Sequence, residues 1–437
     1  MTFDPGQVGE VRAAVLARLT DRQREERAAG RPALGPEDER ALGRQLISEV
    51  LDEKARRALA AGQAVPTTDA EDALAQAVFD SLWGFDRLQR LLDDPTIENV
   101  NANGCDQVWV RYADGRRVQV DPIADSDEAL VGLLRTMAAR TGIGERRFDA
   151  GCPRLSLQLP DGSRLFAVMA VAARPALAIR RHRHLKVTGD DLVGMGTVDL
   201  ALREFCRAAM LAKKSVVITG GTGAGKTTFL RAMAADIPPW ERLVTIEDSF
   251  ELGLDRYLDL HPDTVALEAR EANIEGQGEI TQAELVRWAL RMSPDRVIVG
   301  EARGQEVVAL LNAMSQGCDG SLATLHASSS RGAFAKLATY ALQAAERLPA
   351  EATAMLVAGA VHFVVHLAQD GRQRYVTSVR EVVGSEGQVV TSNEVFRPGT
   401  CGRAVPGAPF RHETLDQLEA VGFDASLLER REGWWAP

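Results

Sequence analysis

Gly220-Gly221-Thr222-Gly223-Ala224-Gly225-Lys226-Thr227 satisfies every fixed position of the phosphate-loop pattern G-x-x-x-x-G-K-[ST]. Residues 215–219 before it, with their β-branched centre Val216-Val217-Ile218, are typical of a buried strand, and residues 227–233 after it are typical of a helix. Glycines let backbone N–H groups turn toward phosphate oxygens, and the start of a helix adds positive potential there. The alternative is an ordinary glycine-rich turn, against which the flanking strand and helix argue. We therefore predict a nucleotide site.

The residues of this loop have separate expected tasks. Lys226 would reach the β- and γ-phosphates, and Thr227 would offer its hydroxyl to Mg²⁺. The expected ligands are therefore ATP and Mg²⁺. The residues predicted to hold them are Gly220, Gly221, Thr222, Gly223, Ala224, Gly225, Lys226, Thr227 and Thr228.

The composition is that of an ordinary globular chain. Its 437 residues predict about two or three domains. The formal net charge of −10 argues against non-specific binding to a nucleic-acid backbone. The 5 cysteines are scattered, which predicts no disulfide framework and no zinc site and indicates a reducing compartment. The beginning has no signal-peptide pattern, and the longest near-apolar run, residues 355–368, is too short and interrupted to span a bilayer.

Changes in periodicity divide the chain into four predicted parts. Residues 1–65 predict two helices, which form either a surface bundle or a docking module. Residues 66–190 carry two hairpin signals and predict a small α+β domain with helices on one face of a sheet. Residues 191–400 alternate strand and helix, as in a parallel sheet covered on both faces. Residues 401–437 form a C-terminal tail in which periodicity fades.

The third part contains the elements that would surround the phosphate loop. The capping-box pattern Thr281-Gln282-Ala283-Glu284 predicts the start of a helix, and a meander of strands is expected after residue 362. Five strands are predicted before the meander, at residues 215–219, 242–247, 264–268, 296–300 and 321–325.

Acidic residues end two of these strands. Glu301 follows an apolar strand that should end beside the phosphate loop, at the carboxyl edge of the sheet. Hydrolysis needs a carboxylate that positions water, so we assign this task to Glu301; the alternative is an acid that favours a helix N-terminus. Glu247, Asp248 and Glu251 follow another strand. These acids suit a Mg²⁺ shell or a second contact to water, although one or two of them could be surface charges or caps.

Two further groups carry nitrogen-rich side chains. His326 ends a later strand at the same sheet edge, a position that favours a functional role over a structural one. The run Arg180-Arg181-His182-Arg183-His184-Leu185-Lys186 has three interpretations. The first is a solvent-exposed connector. The second is a nucleic-acid contact, against which the absence of nearby aromatic residues for base stacking argues. The third is a source of arginines that reach a nucleotide phosphate from the neighbouring domain.

Taken together, these segments resemble the traffic ATPases of type II and type IV secretion systems and type IV pili, and most closely the CpaF-like tight-adherence (Flp) pilus branch. The resemblance covers roughly residues 75–400. Upstream motifs resemble those of the family's N-terminal domain, at residues 94–100, 159–164 and 178–181. Downstream, the segments that resemble the aspartate box, the Walker B segment and the histidine box are residues 246–251, 294–304 and 320–327.

This resemblance implies a fold and a set of roles. The implied architecture is a RecA-like P-loop ATPase domain preceded by a PAS-like α+β domain and an N-terminal helical region, assembled as a hexameric ring. ATP would lie between the two domains, and hydrolysis would move one against the other. On matching positions, Glu301 is the main catalytic acid, Glu251 assists it and contributes to the metal site, and His326 senses or couples the site. Arg164 and Arg180 would extend toward the phosphates.

The resemblance also implies a cellular task. The expected protein is an ATP-hydrolysing cytoplasmic motor, peripheral at the inner face of the cell membrane, which powers pilus assembly or protein secretion through inner-membrane platform proteins. Nucleic acid is not an expected partner. Two alternatives stay open: a DNA-transfer ATPase of the conjugation type, and a non-hydrolysing nucleotide-switch scaffold. Two positions depart from the branch, Ser293 in place of arginine and Cys318 in place of a common histidine, and neither removes a group assigned to bond breaking.

Overall fold

The chain consists of two compact units, Met1–Arg181 and His182–Pro437. The computed structural model describes residues 5–32, 34–141, 147–181, 186–270, 272, 277–371 and 373–429. The sequence predicts the boundary between residues 190 and 191, whereas the units separate after Arg181. The difference arises because Val187 and Leu192 are buried in the core of the second unit.

The first unit begins with a helical cluster. Its helices are α1 (Pro5–Ala28), α2 (Pro36–Ala60) and α3 (Thr68–Trp83). The predicted pair of helices is confirmed, and α2 begins with proline followed by acidic residues in its first turn, which suit the positive end of a helix. Val78 of α3 is buried in the same apolar cluster as α1 and α2. Residues 61–66, between α2 and α3, therefore join helices that share one core.

The rest of the first unit is an antiparallel sheet of six strands in the order β3-β2-β1-β6-β5-β4. Both predicted hairpins are confirmed. Val100, Leu165 and Ile179 are buried among the apolar residues of α5, and the alternate positions of the strands lie on the other face. The elements are α4 (Gln89–Asp93), β1 (Ile97–Asn103), β2 (Val108–Tyr112), β3 (Arg117–Val120), α5 (Asp127–Thr141), β4 (Arg154–Gln158), β5 (Arg164–Val168) and β6 (Ala176–Arg180).

The second unit is built on a sheet of nine strands in the order β15-β14-β13-β12-β7-β11-β10-β8-β9. Its strands are β7 (Val216–Gly220), β8 (Leu243–Glu247), β9 (Thr264–Glu268), β10 (Arg296–Ala302), β11 (Leu322–His326), β12 (Phe363–Asp370), β13 (Gln373–Glu386), β14 (Val389–Pro398) and β15 (Ala404–Pro406). Its helices are α6 (Gly189–Gly194), α7 (Leu200–Leu211), α8 (Lys226–Ala234), α9 (Gln282–Ala289), α10 (Glu306–Ser315), α11 (Gly332–Gln343), α12 (Ala350–Ala360) and α13 (His412–Glu419).

The strands around the phosphate loop are parallel, as predicted. β12, β7, β11, β10, β8 and β9 pair in parallel, and β13 to β15 extend the sheet antiparallel. Each of the five predicted strands agrees with the structure within two residues at either end. Val216 and Ile218 pack into one apolar cluster and Val217 into another, so helices cover both faces of the sheet. The capping box that starts α9 is also confirmed.

Much of the segment predicted as a tail belongs to the core of the second unit. β15 pairs with β14, and Phe410, Leu418 and Phe423 are buried in the same cluster as α7 and α8. The Phe410 ring stacks on Phe205, with 5.5 Å between ring centroids. The buried aromatic residues of this segment are isolated between short elements, so they produce no periodic pattern in the sequence. This explains why the sequence predicts a tail at residues 401–437. In the described part of the chain, no helix has both the length and the apolar character required to cross a bilayer.

Arg296, the first residue of β10, forms a buried ion pair with Glu241. Arg296 is fully buried, and its Nε and Nη2 donate to the two carboxylate oxygens of Glu241 at 2.7 and 3.0 Å. The remaining guanidinium N–H groups donate to the carbonyls of Met210 and Gly320. A Cβ at position 320 would lie 2.4 Å from Arg296 Nη1, so glycine is required there.

Removing one partner of this pair should destabilise the second unit strongly. We expect Glu241→Ala to lower the free energy of unfolding by about 3–5 kcal/mol, because an uncompensated guanidinium is left in the core. Urea unfolding of the full chain measures this change in the free energy of unfolding, which is taken from the transition of the second unit. The double variant Glu241→Leu with Arg296→Met should recover most of the loss, since it leaves no buried charge. A cost below about 1 kcal/mol for the single variant would contradict the assignment.

Candidate active site

The phosphate loop connects β7 to α8 and requires glycine at several positions. Gly223 and Gly225 have φ angles of 78° and 91°, in the left-handed region, and Gly225 is the residue before α8. A Cβ at Gly220 would lie 2.7 Å from the carbonyl oxygen of Leu367, whereas a Cβ at Gly221 would meet no atom within 4 Å. Such a turn ahead of a helix forms a concave group of backbone amides, and these residues therefore fit a bound phosphate.

Lys226, the first residue of α8, is buried beside the loop. Its Nζ donates to the carbonyl oxygens of Gly220 and Gly221, at 3.3 and 3.0 Å. The same Nζ lies 3.2 Å from Nδ1 of His326. His326 ends β11 and pairs in register with Gly220 of β7, which explains why a residue 100 positions away lies at the loop.

Glu301 completes this arrangement from the neighbouring strand β10. Its Oε1 lies 2.7 Å from His326 Nε2, and its Oε2 accepts from Arg303 Nη2 at 2.8 Å. Burial acts to raise the pKa of Glu301, but Arg303, His326 and Lys226 together outweigh it and hold the pKa below its ordinary value. The carboxylate is therefore ionised at neutral pH and can accept a proton.

His326 connects the lysine to the acid. Burial, followed by the charge of Lys226, lowers the pKa of His326, so the imidazole is neutral at neutral pH. A neutral ring has one N–H donor and one acceptor nitrogen. The ammonium of Lys226 can only donate, so Nδ1 of His326 is assigned as the acceptor nitrogen. Nε2 lies 2.7 Å from Glu301 Oε1, and that oxygen accepts no hydrogen bond within the described residues.

The three acids after β8 occupy different environments. Glu247 is buried, and its Oε1 accepts from the backbone N–H groups of Glu251 and Leu252 at 2.9 and 2.8 Å. Asp248 accepts from Gln282 Nε2 at 2.7 Å and pairs with Arg303 at 3.2 Å. Glu251 is close enough to Arg303 to raise its pKa, together with Glu301 and Asp248. Glu247 is thus a structural residue, while the other two border the site.

The predicted Mg²⁺ ligands are Thr227 and Glu251. Within the described ranges, no three His, Cys, Asp or Glu side chains converge as a ligand set. Proteins usually bind Mg²⁺ through one or two protein oxygens together with the phosphates of a nucleotide. The assignment of Thr227 and Glu251 stays a prediction.

Two arginines that sequence reasoning left without a role lie at the site. Arg303 contacts Glu301 and Asp248, and its position two residues after Glu301 was the available signal, because side chains two apart in an extended segment share a face. Arg374 of β13 donates from Nε to the carbonyl oxygen of Gly223 at 2.8 Å. It lies 151 residues from the loop, and the sequence contains no signal that joins the two.

The basic run divides between the two units. Arg164 and Arg180 are opposed in register on β5 and β6, within the first unit, and their action on a nucleotide stays a prediction. Arg181 donates to the backbone carbonyl of Asp94. Residues 182–185 lie outside the described part of the chain. Lys186 pairs with Asp259 at 2.5 Å in the second unit.

Most of the chain matches a protein-family model. A family model described as type II/IV secretion system protein matches residues 83–411. The chain belongs to this family. The predicted fold class, a RecA-like P-loop ATPase domain preceded by an N-terminal domain, is confirmed with it. The tight-adherence branch within the family stays a prediction.

Several relatives match this chain over about two thirds of its length or more. A putative conjugal transfer protein of Mycobacterium tuberculosis (strain H37Rv) is 37% identical over 318 residues, which cover 70% of this chain and 87% of that protein. The type IV secretion system protein VirB11 of Brucella suis is 31% identical over 323 residues, with coverage of 67% and 87%.

Two solved structures are also similar to parts of the chain. The VirB11 ATPase of the Brucella suis type IV secretion system, in complex with sulphate, is 29% identical and covers 68% of this chain and 92% of that one, with a TM-score of 0.37. The ATPase DotB of Legionella pneumophila is 18% identical, with coverage of 69% and 80% and a TM-score of 0.48.

Glu247 should make the stability of the second unit depend on pH. Burial raises its pKa from 4.5 to about 8, and its Oε2 has no hydrogen-bond partner within the described residues. Between these two pH values the folded state therefore holds a proton that the unfolded state has released. The protonated carboxyl stabilises the folded state fully below about pH 4.5, and this stabilisation is lost as pH rises through about 8. Glu247→Gln keeps an oxygen for the two backbone amides and does not ionise.

We expect the melting temperature of the wild type to fall more between about pH 6 and pH 9 than that of Glu247→Gln. Differential scanning calorimetry at both pH values measures the difference. The exposed Glu386, also at a strand end, provides the control, and Glu386→Gln should keep the wild-type dependence. Equal falls in the wild type and Glu247→Gln would show that Glu247 is ionised in the folded state.

Proposed function

We propose that the protein is an ATP-hydrolysing subunit of a hexameric motor that works at the cytoplasmic face of the cell membrane. The observation that carries the proposal is the chain of contacts from Lys226 through His326 to Glu301, which joins the phosphate loop to an ionised carboxylate. Such an arrangement senses a phosphate at one end and holds a base at the other. A non-hydrolysing scaffold has no use for that base.

In the proposed reaction, water attacks the γ-phosphorus of ATP. Glu301 orients the water and takes up its proton as the new P–O bond forms and the bond to the β-phosphate oxygen breaks. The products are ADP and inorganic phosphate. Lys226 stabilises the charge on the β- and γ-phosphate oxygens, and Mg²⁺ supplies further charge when bound beside Thr227 and Glu251.

The same contacts link the binding of a phosphate at the loop to Glu301. Without phosphate, Lys226 donates to the carbonyl oxygens of Gly220 and Gly221 and faces His326. When Lys226 turns to a phosphate, Nδ1 of His326 loses this cation, so the close contact of His326 with Glu301 is free to change. Arg164 and Arg180 are proposed to contact the phosphates, and their adjacent positions on β5 and β6 support a joint role.

The proposed cargo is a pilin-like or secreted protein, delivered through an inner-membrane platform protein. The net charge of −10 supports protein over DNA as cargo. The second candidate, a DNA-transfer ATPase, is favoured by the relatives whose names refer to conjugal transfer, at 37% identity.

Turnover and assembly of the purified full chain test the proposal. We expect Mg²⁺-dependent release of phosphate from ATP and a hexameric mass in light scattering with nucleotide present. Addition of single- or double-stranded DNA should leave turnover unchanged. Stimulation by DNA that weakens with rising salt would replace the protein-cargo motor with the DNA-transfer candidate. Tight ATP binding without phosphate release would refute hydrolysis and leave the scaffold.

A further inference from the structure

We propose that Arg231 is a positioning residue that sets the place of Glu251 relative to the phosphate loop. The proposal rests on the role of Glu251 in the ATP hydrolysis proposed above, and it adds a residue that none of the sequence motifs contains. Arg231 belongs to α8, the helix that begins with Lys226.

Arg231 reaches from α8 to the segment that carries Glu251. Its side chain is buried, with 3% exposure. Its Nε donates to the carbonyl oxygen of Leu252 at 2.9 Å, and its Nη2 donates to the carbonyl oxygen of Glu251. Two successive carbonyl groups are therefore held by one planar guanidinium.

The N–H groups of the same two residues are held from the opposite direction. Glu247 Oε1, at the end of β8, accepts from both Glu251 and Leu252. This segment belongs to neither a helix nor a strand, so side chains supply the partners that regular structure would otherwise provide. Between Glu247 and Arg231, all four backbone polar groups of Glu251 and Leu252 are paired.

The geometry connects two parts of the site mechanically. A helix moves as a rigid element over the six residues from Lys226 to Arg231, so a shift of the phosphate loop carries the guanidinium with it. The carbonyl of Glu251 follows, because it is bonded to that guanidinium. Binding of a phosphate at the loop would in this way adjust the Glu251 carboxylate at the metal side of the nucleotide.

Lysine cannot reproduce this contact. Its single ammonium is a point charge on a flexible stem, whereas the guanidinium places two donors in one plane with a fixed spacing. Arg231→Lys keeps charge and most of the volume but releases one of the two carbonyl groups. It therefore separates positioning from the presence of a cation.

Arg203 provides a matched control. It is also a buried helical arginine in the second unit, in α7, with 8% exposure. It donates to both oxygens of Asp236, at 2.9 and 3.1 Å, and to Asp190. Among the residues that the structure describes, Arg203 forms no hydrogen bond or ion pair with the phosphate loop or with Glu251. Arg203→Lys should thus cost similar stability without moving the acid.

The test measures kcat, KM for ATP and the Mg²⁺ concentration for half-maximal rate in the full chain. We expect Arg231→Lys to lower kcat by about 10- to 100-fold and to raise the Mg²⁺ requirement several-fold, since misplacement of about 1 Å costs up to 10²-fold. Binding of ADP should change less than about threefold, because its phosphates contact the loop and not Glu251. Arg203→Lys should keep kcat within about twofold.

A double-mutant cycle with Glu251→Gln decides whether Arg231 acts through Glu251. If it does, adding Arg231→Lys to Glu251→Gln costs little more, because the group that Arg231 places is already gone. Full multiplication of the two losses, or wild-type kcat in Arg231→Lys, overturns the proposal. Arg231→Lys could be less stable than Arg203→Lys and melt at a lower temperature. In that case, hydrogen exchange of the Glu251 and Leu252 amides is compared in the two variants at a temperature where both variants are folded. Faster exchange is expected in Arg231→Lys alone, and equal exchange overturns the proposal.

The proposed function and this inference fail in distinguishable ways. A wild-type chain that releases no phosphate from ATP refutes the proposed function. A wild-type chain that hydrolyses ATP, with Glu301→Gln inactive and Glu251→Gln fully active, keeps the function and overturns the role of Arg231.

Discussion

Replacing Glu301 with glutamine should lower kcat for ATP hydrolysis by about 10³-fold, within the range observed when a general base is removed. The amide keeps the shape of the side chain and can still accept from Arg303, but it cannot take a proton from water. Since Lys226 and the glycines are unchanged, ADP binding should stay within about threefold of wild type. Phosphate release under single-turnover conditions and calorimetric titration with ADP measure the two effects.

A matched control separates loss of the base from loss of an ion pair. Glu394 also pairs with an arginine, Arg380, at 3.1 Å, and lies on β14 away from the phosphate loop. Glu394→Gln should retain at least about half of wild-type turnover, because a partly exposed ion pair contributes little. Full activity in Glu301→Gln would remove the central assignment and require a different residue to orient the water.

Replacing Lys226 with alanine should weaken binding of ATP by about 100-fold and abolish measurable turnover. Hydrogen bonds from a charged donor contribute about 1.5–3 kcal/mol each, and Lys226 is expected to bond both the β- and the γ-phosphate. Binding is measured by the increase in melting temperature that a fixed concentration of ADP produces, since a ligand at free concentration L stabilises the folded state by RT ln(1 + L/Kd). The variant should lose this increase.

The control for Lys226→Ala is a lysine on another helix of the same unit. Lys336 lies on α11, with its ammonium 4.8 Å from the centre of the Tyr340 ring. Lys336→Ala should keep the nucleotide-dependent stabilisation. An equal gain in melting temperature with ADP in Lys226→Ala and wild type would show that the loop does not hold the phosphates through its lysine.

The parallel strands of the second unit could be predicted because both of their faces are buried. Strands such as residues 215–219 are continuous apolar runs, and each ends in polar residues at the same edge of the sheet. The phosphate loop, Glu301 and His326 follow three of these strands, so their approach to one another followed from sheet topology alone. The segment after residue 401 could not be predicted, because its contacts with the core depend on a few aromatic side chains.

The sequence by itself determined the nucleotide loop, the order of strands and helices around it, and the acid and histidine at the sheet edge. These features are encoded locally, as glycine spacing and apolar periodicity within short windows. Only the tertiary structure decided that Lys226 faces His326, that Arg374 holds the loop and that Arg231 holds the backbone of Glu251. The groups that these contacts join lie 20 to 151 residues apart in the sequence. No local pattern specifies which distant groups will meet when the chain folds.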